Sequence, residues 1–208
     1  MKATAPSGAD PVVYVVDDDD EVRQALKFLL DSVGQASELF ASGTEFLEAF
    51  NASSHGCIVS DIRMPGMSGL ELQQELVNRG ITTPIIFITG HGDIPMAVEA
   101  IKQGAQEFLT KPFRDQTLLD AINSAITIDA SRRDAQSSRS DYERCKQSLT
   151  KREAQVLEMV LAGETNKSMA EKLHLSHRTI EVHRANMMEK MEVASLAELL
   201  KRVQAAEA

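Results

Sequence analysis

The chain has 208 residues and is 43% hydrophobic and 25% charged, which fits a globular protein of one large or two modest domains. No apolar run approaches the roughly 20 residues of a membrane span, and Met1 to Asp10 has neither the basic start nor the apolar core of a signal peptide. The net charge of −9 is unevenly spread. Residues 1–143 hold 11 Lys and Arg against 22 Asp and Glu, whereas residues 144–208 hold 11 against 9, so the acidic part is at −11 and the remainder at +2. The second part is thus the candidate for a polyanion, although +2 is not a basic patch. Cys57 and Cys145 lie far apart, match no metal-ligand spacing, and read as reduced thiols of a cytoplasmic protein.

In chain order, Pro11 to Val16 is a continuous apolar run followed by four acids, Asp17 to Asp20. It predicts a strand buried on both faces, as in a parallel sheet. Asp19 or Asp20 caps a helix whose apolar residues Val22, Leu26, Leu29, Leu30 and Val33 have helical spacing, and Gly34 ends it. A weaker strand covers Ser37 to Phe40, and Thr44 to Phe50 is a short helix with Phe46, Leu47 and Phe50 inward. Cys57 to Ser60 is a strand that delivers Asp61 at its carboxyl end, directly before the turn Met64-Pro65-Gly66-Met67-Ser68-Gly69. Leu70, Leu72, Leu76 and Val77 mark the next helix, Pro84 to Thr89 a buried strand, Pro95 to Lys102 a helix, and Ala105 to Leu109 a fifth strand. Asp115 to Ile128 is a fifth helix, with Leu118, Leu119, Ile122 and Ile126 inward.

Five alternations of strand and helix argue for a doubly wound α/β domain over residues 11–128. Asp17, Asp18, Asp61 and Thr89 then end strands at one sheet edge, and Lys111 follows the fifth strand. Converging carboxylates repel one another and are tolerable around a hard divalent cation, with Mg²⁺ suited to an oxygen-rich, partly hydrated site. With a lysine and a hydroxyl beside them, they fit phosphoryl transfer to the Asp61 carboxylate. Each residue alone has a bland reading: a solvated helix start, a loop, a surface lysine. Chance would have to supply the right side chain at four strand ends for all of those to hold.

Val15-Val16-Asp17-Asp18, Asp61 with its Met-Pro-Gly-Met-Ser-Gly turn, Ile88-Thr89 and Lys111-Pro112-Phe113 resemble the receiver domain of bacterial two-component response regulators. The resemblance implies a flavodoxin-like (βα)₅ fold and a sensor histidine kinase as phosphoryl donor. It makes Asp61 the acceptor, Asp18 and the Arg63 carbonyl metal ligands, and Asp17 an indirect one. Thr89 and Lys111 become the switch hydroxyl and phosphate-binding lysine. Phe108 stands where the family has an aromatic switch residue, often Tyr, so its role rests on packing. One rival is a phosphatase acting through Asp61. Such enzymes use a second acid just after the nucleophile, and Arg63 in that place disfavours it. Another is a constitutive DNA-binding protein whose receiver serves only for protein contact.

Residues 129–147 are polar, lack Pro and Gly, and read as a linker, either a solvated helix continuing the fifth or a flexible tether. From 148 the pattern becomes one of short helices. Thr150 caps the first, with Glu153 completing a capping box and Ala154, Val156, Leu157, Val160 and Leu161 apolar. Asn166 to Leu173 is the second, and His174-Leu175 the turn. Ser176 caps a third, with Ile180, Val182, Met187, Met188 and Met191 among its apolar residues, the Met cluster reading as core. Ser195 to Val203 is a fourth. Two helices joined by a tight turn, the second basic, form a helix-turn-helix pattern.

Leu149 to Glu153, Asn166 to Ala170 and Ser176 to Arg184 resemble the LuxR/NarL-type DNA-binding domain, which makes the whole chain similar to FixJ-type transcriptional regulators. The resemblance implies that the helix from Ser176 to Lys190 enters the major groove of double-stranded promoter DNA. Thr179, Glu181, Val182 and Arg184 would face the DNA, and Asn166, Lys167 and Arg178 would approach phosphates. His183 has both a packing and a contact reading, and Lys190, which extends the match, is counted among the DNA-binding residues. Many relatives carry Lys where this chain has Glu181, which either accepts from a cytosine amine or faces solvent. At +2 one such domain should bind DNA weakly, so a homodimer on phosphorylation is expected, with RNA polymerase as a downstream partner, and the resemblance implies an activating role.

Overall fold

A computed structural model describes residues 10–50, 55–90 and 94–207. The expectation for the first ten residues therefore falls almost wholly outside the described residues. The chain divides into two compact units, Met1–Ser131 and Arg132–Ala208.

The first unit is a five-stranded parallel sheet between helices. Its strands are β1 (Val12–Val16), β2 (Ser37–Phe40), β3 (Gly56–Asp61), β4 (Ile85–Thr89) and β5 (Glu107–Thr110), in the order β2-β1-β3-β4-β5. The helices are α1 (Asp20–Ser32), α2 (Gly43–Ala49), α3 (Gly69–Asn78), α4 (Ile94–Lys102) and α5 (Asp115–Gln147). The central strands are buried on both faces, as their unbroken apolar runs predict. One face packs Tyr14, Val16, Ile58 and Phe87 against Phe46, Leu72 and Leu76, and the other packs Val13, Val15, Val59 and Ile86 against Leu26, Leu30, Leu118 and Ile122. Val16 pairs with Ser60 across β1 and β3, so the acids that follow both strands emerge side by side. The strand order reverses between β1 and β3, and ligands of open parallel sheets bind at such a carboxyl-edge crevice.

Local signals explain the boundaries. Asp19 caps α1 by accepting from the Glu21 N–H, and Ser68 and Glu71 form a complete capping box at α3. Two apolar residues depart from their expected placing. Val33 and Val77 are 55% and 56% exposed, because each falls at the end of its helix where the apolar stripe has already turned off the core.

α5 runs 33 residues, through the whole of the expected linker, so of the two readings open for residues 129–147 the helix continuing the fifth is the one formed. Asp129 is buried, and its Oδ2 accepts from the Gly56 N–H at 3.0 Å, binding α5 to the amino end of β3. Gly56 has φ +136°, and a Cβ there would stand 1.9 Å from the Val12 carbonyl oxygen, so the close pass of β1 requires glycine.

The second unit contains α6 (Lys151–Leu161), α7 (Asn166–Leu173), α8 (His177–Lys190) and α9 (Leu196–Glu207). Its core gathers Val156, Leu157, Val160, Met169, Ile180, Met187, Met191 and Leu199, together with Tyr142 and Cys145 of α5. The expected linker thus supplies two core side chains to this unit, and the methionines are core, as read. His174 makes the turn between α7 and α8 in the left-handed region, at φ 54°.

Candidate functional site

The turn after β3 aims the first site. The Gly69 N–H donates to the Ile62 carbonyl at 2.8 Å, folding the loop back on Asp61, and a Cβ on Gly69 would lie 2.3 Å from the Asp61 carbonyl oxygen. Asp61 is held at both carboxylate oxygens: Oδ1 accepts from the Arg63 N–H at 3.0 Å, and Oδ2 from the Lys111 ammonium at 3.1 Å. Lys111 reaches the site because its N–H donates to the Thr89 carbonyl at 2.8 Å, which sets the chain after β5 beside the end of β4. Its ammonium also donates to Asp17 Oδ2 at 2.9 Å. One cation therefore bridges the two acids at the ends of β1 and β3.

The electrostatics follow from burial. Asp17 is 1% exposed. Burial pushes its carboxyl above the usual range, Lys111 and the Asp19 N–H pull it back, and Asp61 adds to the rise. Burial pulls the Lys111 ammonium down, but its hydrogen bonds to Asp17 and Asp61 and their charges outweigh this, and it stands above an ordinary lysine. Two carboxylates share one ammonium, and a third acid, the exposed Asp18, follows Asp17 in the chain. The donor set is all oxygen and short of positive charge, which fits a hard divalent cation. Among the described residues no group of three His, Cys, Asp or Glu side chains is placed to hold a metal ion. Thr89 is buried at the end of β4, and Phe108 is half-buried on the core face that includes Phe87. Of the receiver-side residues expected to act together, hydrogen bonds join Asp17, Asp61, Lys111 and the Arg63 backbone, Thr89 ends the neighbouring strand, Asp18 is exposed next to Asp17 in the chain, and Phe108 lies within β5 against the core.

The second candidate site is the α7-turn-α8 surface. Ser176 caps α8 by accepting from the Thr179 N–H at 3.1 Å, and the two hydroxyls lie 2.7 Å apart. Lys167, Arg178, Glu181 and Val182 are exposed, and Asn166, Thr179, His183 and Arg184 are half-buried. The Arg184 guanidinium donates to Asn166 Oδ1 at 2.9 Å, tying α8 to the start of α7. Lys190 stands apart from this group. Its ammonium donates to Glu153 Oε2 at 2.7 Å, and Glu153 is a buried acid that also accepts from the Thr150 N–H. The Lys190 ammonium holds the Glu153 carboxyl below the usual range against its burial, helped by Thr150.

Sequence reasoning missed Asp129 and the pairing of Lys190 with Glu153. Asp129 lies 73 residues from its partner with no local pattern, and an acid in a capping box 37 residues from a lysine gives no hint of burial.

Such an acid pocket at the switch point of a flavodoxin-like sheet, followed by a helix-turn-helix unit, defines a phosphorylation-dependent transcription regulator with a receiver and a DNA-binding domain. The comparisons agree. Residues 13–123 match the response regulator receiver domain, and residues 147–203 the bacterial regulatory proteins of the luxR family. The response regulator TodT of Pseudomonas putida is 47% identical over 190 residues, covering 91% of this chain and 84% of that protein. The transcriptional regulatory protein FixJ of Azorhizobium caulinodans is 47% identical over 189 residues, covering 91% and 90%. The solved response regulator StyR is 48% identical with a TM-score of 0.86, covering 94% of this chain and 99% of that one, and full-length FixJ from B. japonicum is 44% identical with a TM-score of 0.59, covering 95% and 97%. The chain belongs to the response regulators of FixJ type, with a receiver and a luxR-family DNA-binding domain. Receivers of this family take their phosphoryl group from a histidine kinase and use Mg²⁺. Among the described residues no helix is long and apolar enough to cross a membrane.

Proposed function

We propose that Asp61 accepts a phosphoryl group from a sensor histidine kinase and that this drives receiver pairing and promoter binding, in the cytoplasm and as an activator working with RNA polymerase. The observation that carries the reading is the Lys111 ammonium shared between Asp17 and Asp61. An Asp61 oxygen attacks the phosphorus of a phosphohistidine, the P–N bond breaks, and an acyl phosphate forms while the imidazole leaves. The Arg63 N–H fixes the carboxylate and Lys111 moves from Asp17 to a phosphoryl oxygen. Asp17, Asp18, Asp61 and the Arg63 carbonyl would hold Mg²⁺, which supplies charge neutralisation at the transferring oxygens. The product adds about −1.5 to −2 charge beside Asp61. Thr89 and Lys111 close on it, and Phe108 repacks. Turning a dimerisation equilibrium from 1:99 to 99:1 requires about 5.5 kcal/mol of differential stabilisation. Two new hydrogen bonds to a dianion and a dimer contact are of that order.

On the second unit, α8 enters the major groove, with Thr179, Glu181, Val182, Arg184 and His183 toward the DNA and Asn166, Lys167 and Arg178 toward phosphates. Lys190 serves the fold through Glu153. A net charge of +2 over residues 144–208 gives one domain weak affinity, so two domains on a two-fold site supply the avidity. The test is intact mass after incubation with acetyl phosphate and Mg²⁺. One added phosphate on the wild type, absent from Asp61→Asn, with dimer formed only in the former, is the expected result. Full dimerisation of Asp61→Asn under the same treatment would overturn the scheme.

A further inference from the structure

The outward surface of α8 has an unusual charge. Arg178, Glu181, Val182, Ala185, Asn186 and Glu189 are exposed, while Ile180 and Met187 are fully buried. At about 100° per residue, Arg178, Val182, Ala185 and Glu189 form one stripe along the helix, with Glu181 and Asn186 at its borders. After Arg178 this stripe has no cation and two acids. The nearby basic side chains do not change that, because Arg184 donates to Asn166 and Lys190 to Glu153. Beyond Arg178 such a surface cannot gain affinity by neutralising phosphates. What it gains in the major groove must come from base edges.

The groove offers few groups that this stripe can use. Among major-groove functions, the exposed amines belong to cytosine and adenine, and a carboxylate beside guanine meets only the O6 and N7 acceptors. At adenine the amine stands next to the N7 acceptor, which opposes a second carboxylate oxygen, so cytosine is the favourable partner of Glu181. Val182 and Ala185 can offer only methyl groups, and the matching group on DNA is the thymine methyl. The Oε1 of Glu181 lies 3.4 Å from Nδ1 of His177, one turn earlier, which holds the carboxylate along the border of the stripe.

We propose that the centre of α8 reads a cytosine through Glu181 beside a thymine whose methyl packs on Val182 and Ala185. Phosphate neutralisation is left to Lys167 and Arg178. The assignment rests on α8 being the groove-entering helix.

The test is enrichment from a randomised duplex pool by the full chain treated with acetyl phosphate and Mg²⁺, using wild type, Glu181→Gln, Glu181→Lys and Val182→Ala. All the altered side chains are exposed, and far-ultraviolet circular dichroism checks the fold. The wild type is expected to enrich sites with adjacent cytosine and thymine in each half. Glu181→Gln shifts that cytosine toward adenine, which Gln binds bidentately, and Glu181→Lys shifts it toward guanine, each by tenfold or more. Replacing the selected thymine by uracil removes only the methyl. It should weaken wild-type binding about three- to tenfold and leave Val182→Ala much less affected. Enrichment of one unchanged sequence by wild type and both Glu181 variants would overturn the proposal while leaving DNA binding intact. No enrichment by any protein, with no footprint, would overturn the groove-entering role of α8 and the proposal with it.

Discussion

At the scale of single residues, the acids of the two units answer pH in opposite directions. Asp17 stands above its ordinary value of 3.8, so its favourable contribution is complete below 3.8 and is lost as pH rises through its folded value. Asp17→Asn, which removes a group whose charge burial opposes, should raise the stability of the receiver at pH above that range, read as a higher urea midpoint. Glu153 has the reverse sign: it lies below 4.5, so its contribution is present above 4.5 and is lost as pH falls through its folded value. Lys190→Met leaves that carboxylate without its cation. It should destabilise the DNA-binding unit by about 1–3 kcal/mol at pH 7 and flatten its acid limb. The chain has two tyrosines and no tryptophan, Tyr14 in one unit and Tyr142 in the other. Tyrosine emission in a Tyr14→Phe background therefore follows the second unit alone. These roles differ in legibility. Asp61, Asp17 and Lys111 could be read from the sequence because each closes a strand whose apolar run is visible. The partnership of Lys190 could not, since a basic residue on a basic helix reads as a nucleic-acid contact until the acid facing it is seen to be buried.

At the scale of elements, β3 is fixed at both ends by glycine. Gly69 lets the turn fold over Asp61, and Gly56 lets the strand start against β1. Gly69→Ala should push the Asp61 carbonyl from its place and slow phosphorylation by acetyl phosphate tenfold or more, with far-ultraviolet dichroism nearly unchanged. Asp129→Ala removes the acceptor of the buried Gly56 N–H and should cost about 1–3 kcal/mol in receiver stability. Asp129→Asn, which keeps an acceptor oxygen, should cost less. The strand and helix pattern was legible almost throughout, because unbroken apolar runs mark strands buried on both faces and period-3.6 stripes mark helices with one face buried. Beyond Ile128 it left a continuing helix and a flexible tether both open. There the helix buries only Asp129, Tyr142 and Cys145, too sparse a set to give a period.

At the scale of the whole molecule, two hydrophobic cores of separate composition predict two unfolding transitions in calorimetry. Millimolar Mg²⁺ should raise one of them, as binding to the native state alone requires, and leave the other in place. Asp61→Asn should reduce that shift. A single transition moved as a whole by Mg²⁺ would show the two cores to be one cooperative system. The boundary between the units, after Ser131, falls inside the polar stretch that composition reads as a linker. A C-terminal fragment beginning at 148 lacks Tyr142 and Cys145, and should melt below one beginning at 132.

The long helix α5 carries a further consequence. Between Asp129 and Tyr142 it has no buried side chain, and at its approach the hydroxyls of Thr127 and Ser131 turn back to carbonyls four residues earlier. A stretch of about a dozen residues with no core beneath it has only marginal helical stability of its own in water. It persists because the anchored turns on either side remove the nucleation step. Its amides should therefore exchange with deuterium by local opening, orders of magnitude faster than those around Ile122 or Cys145. The least protected helical backbone in the protein would then lie in mid-helix, away from either frayed end.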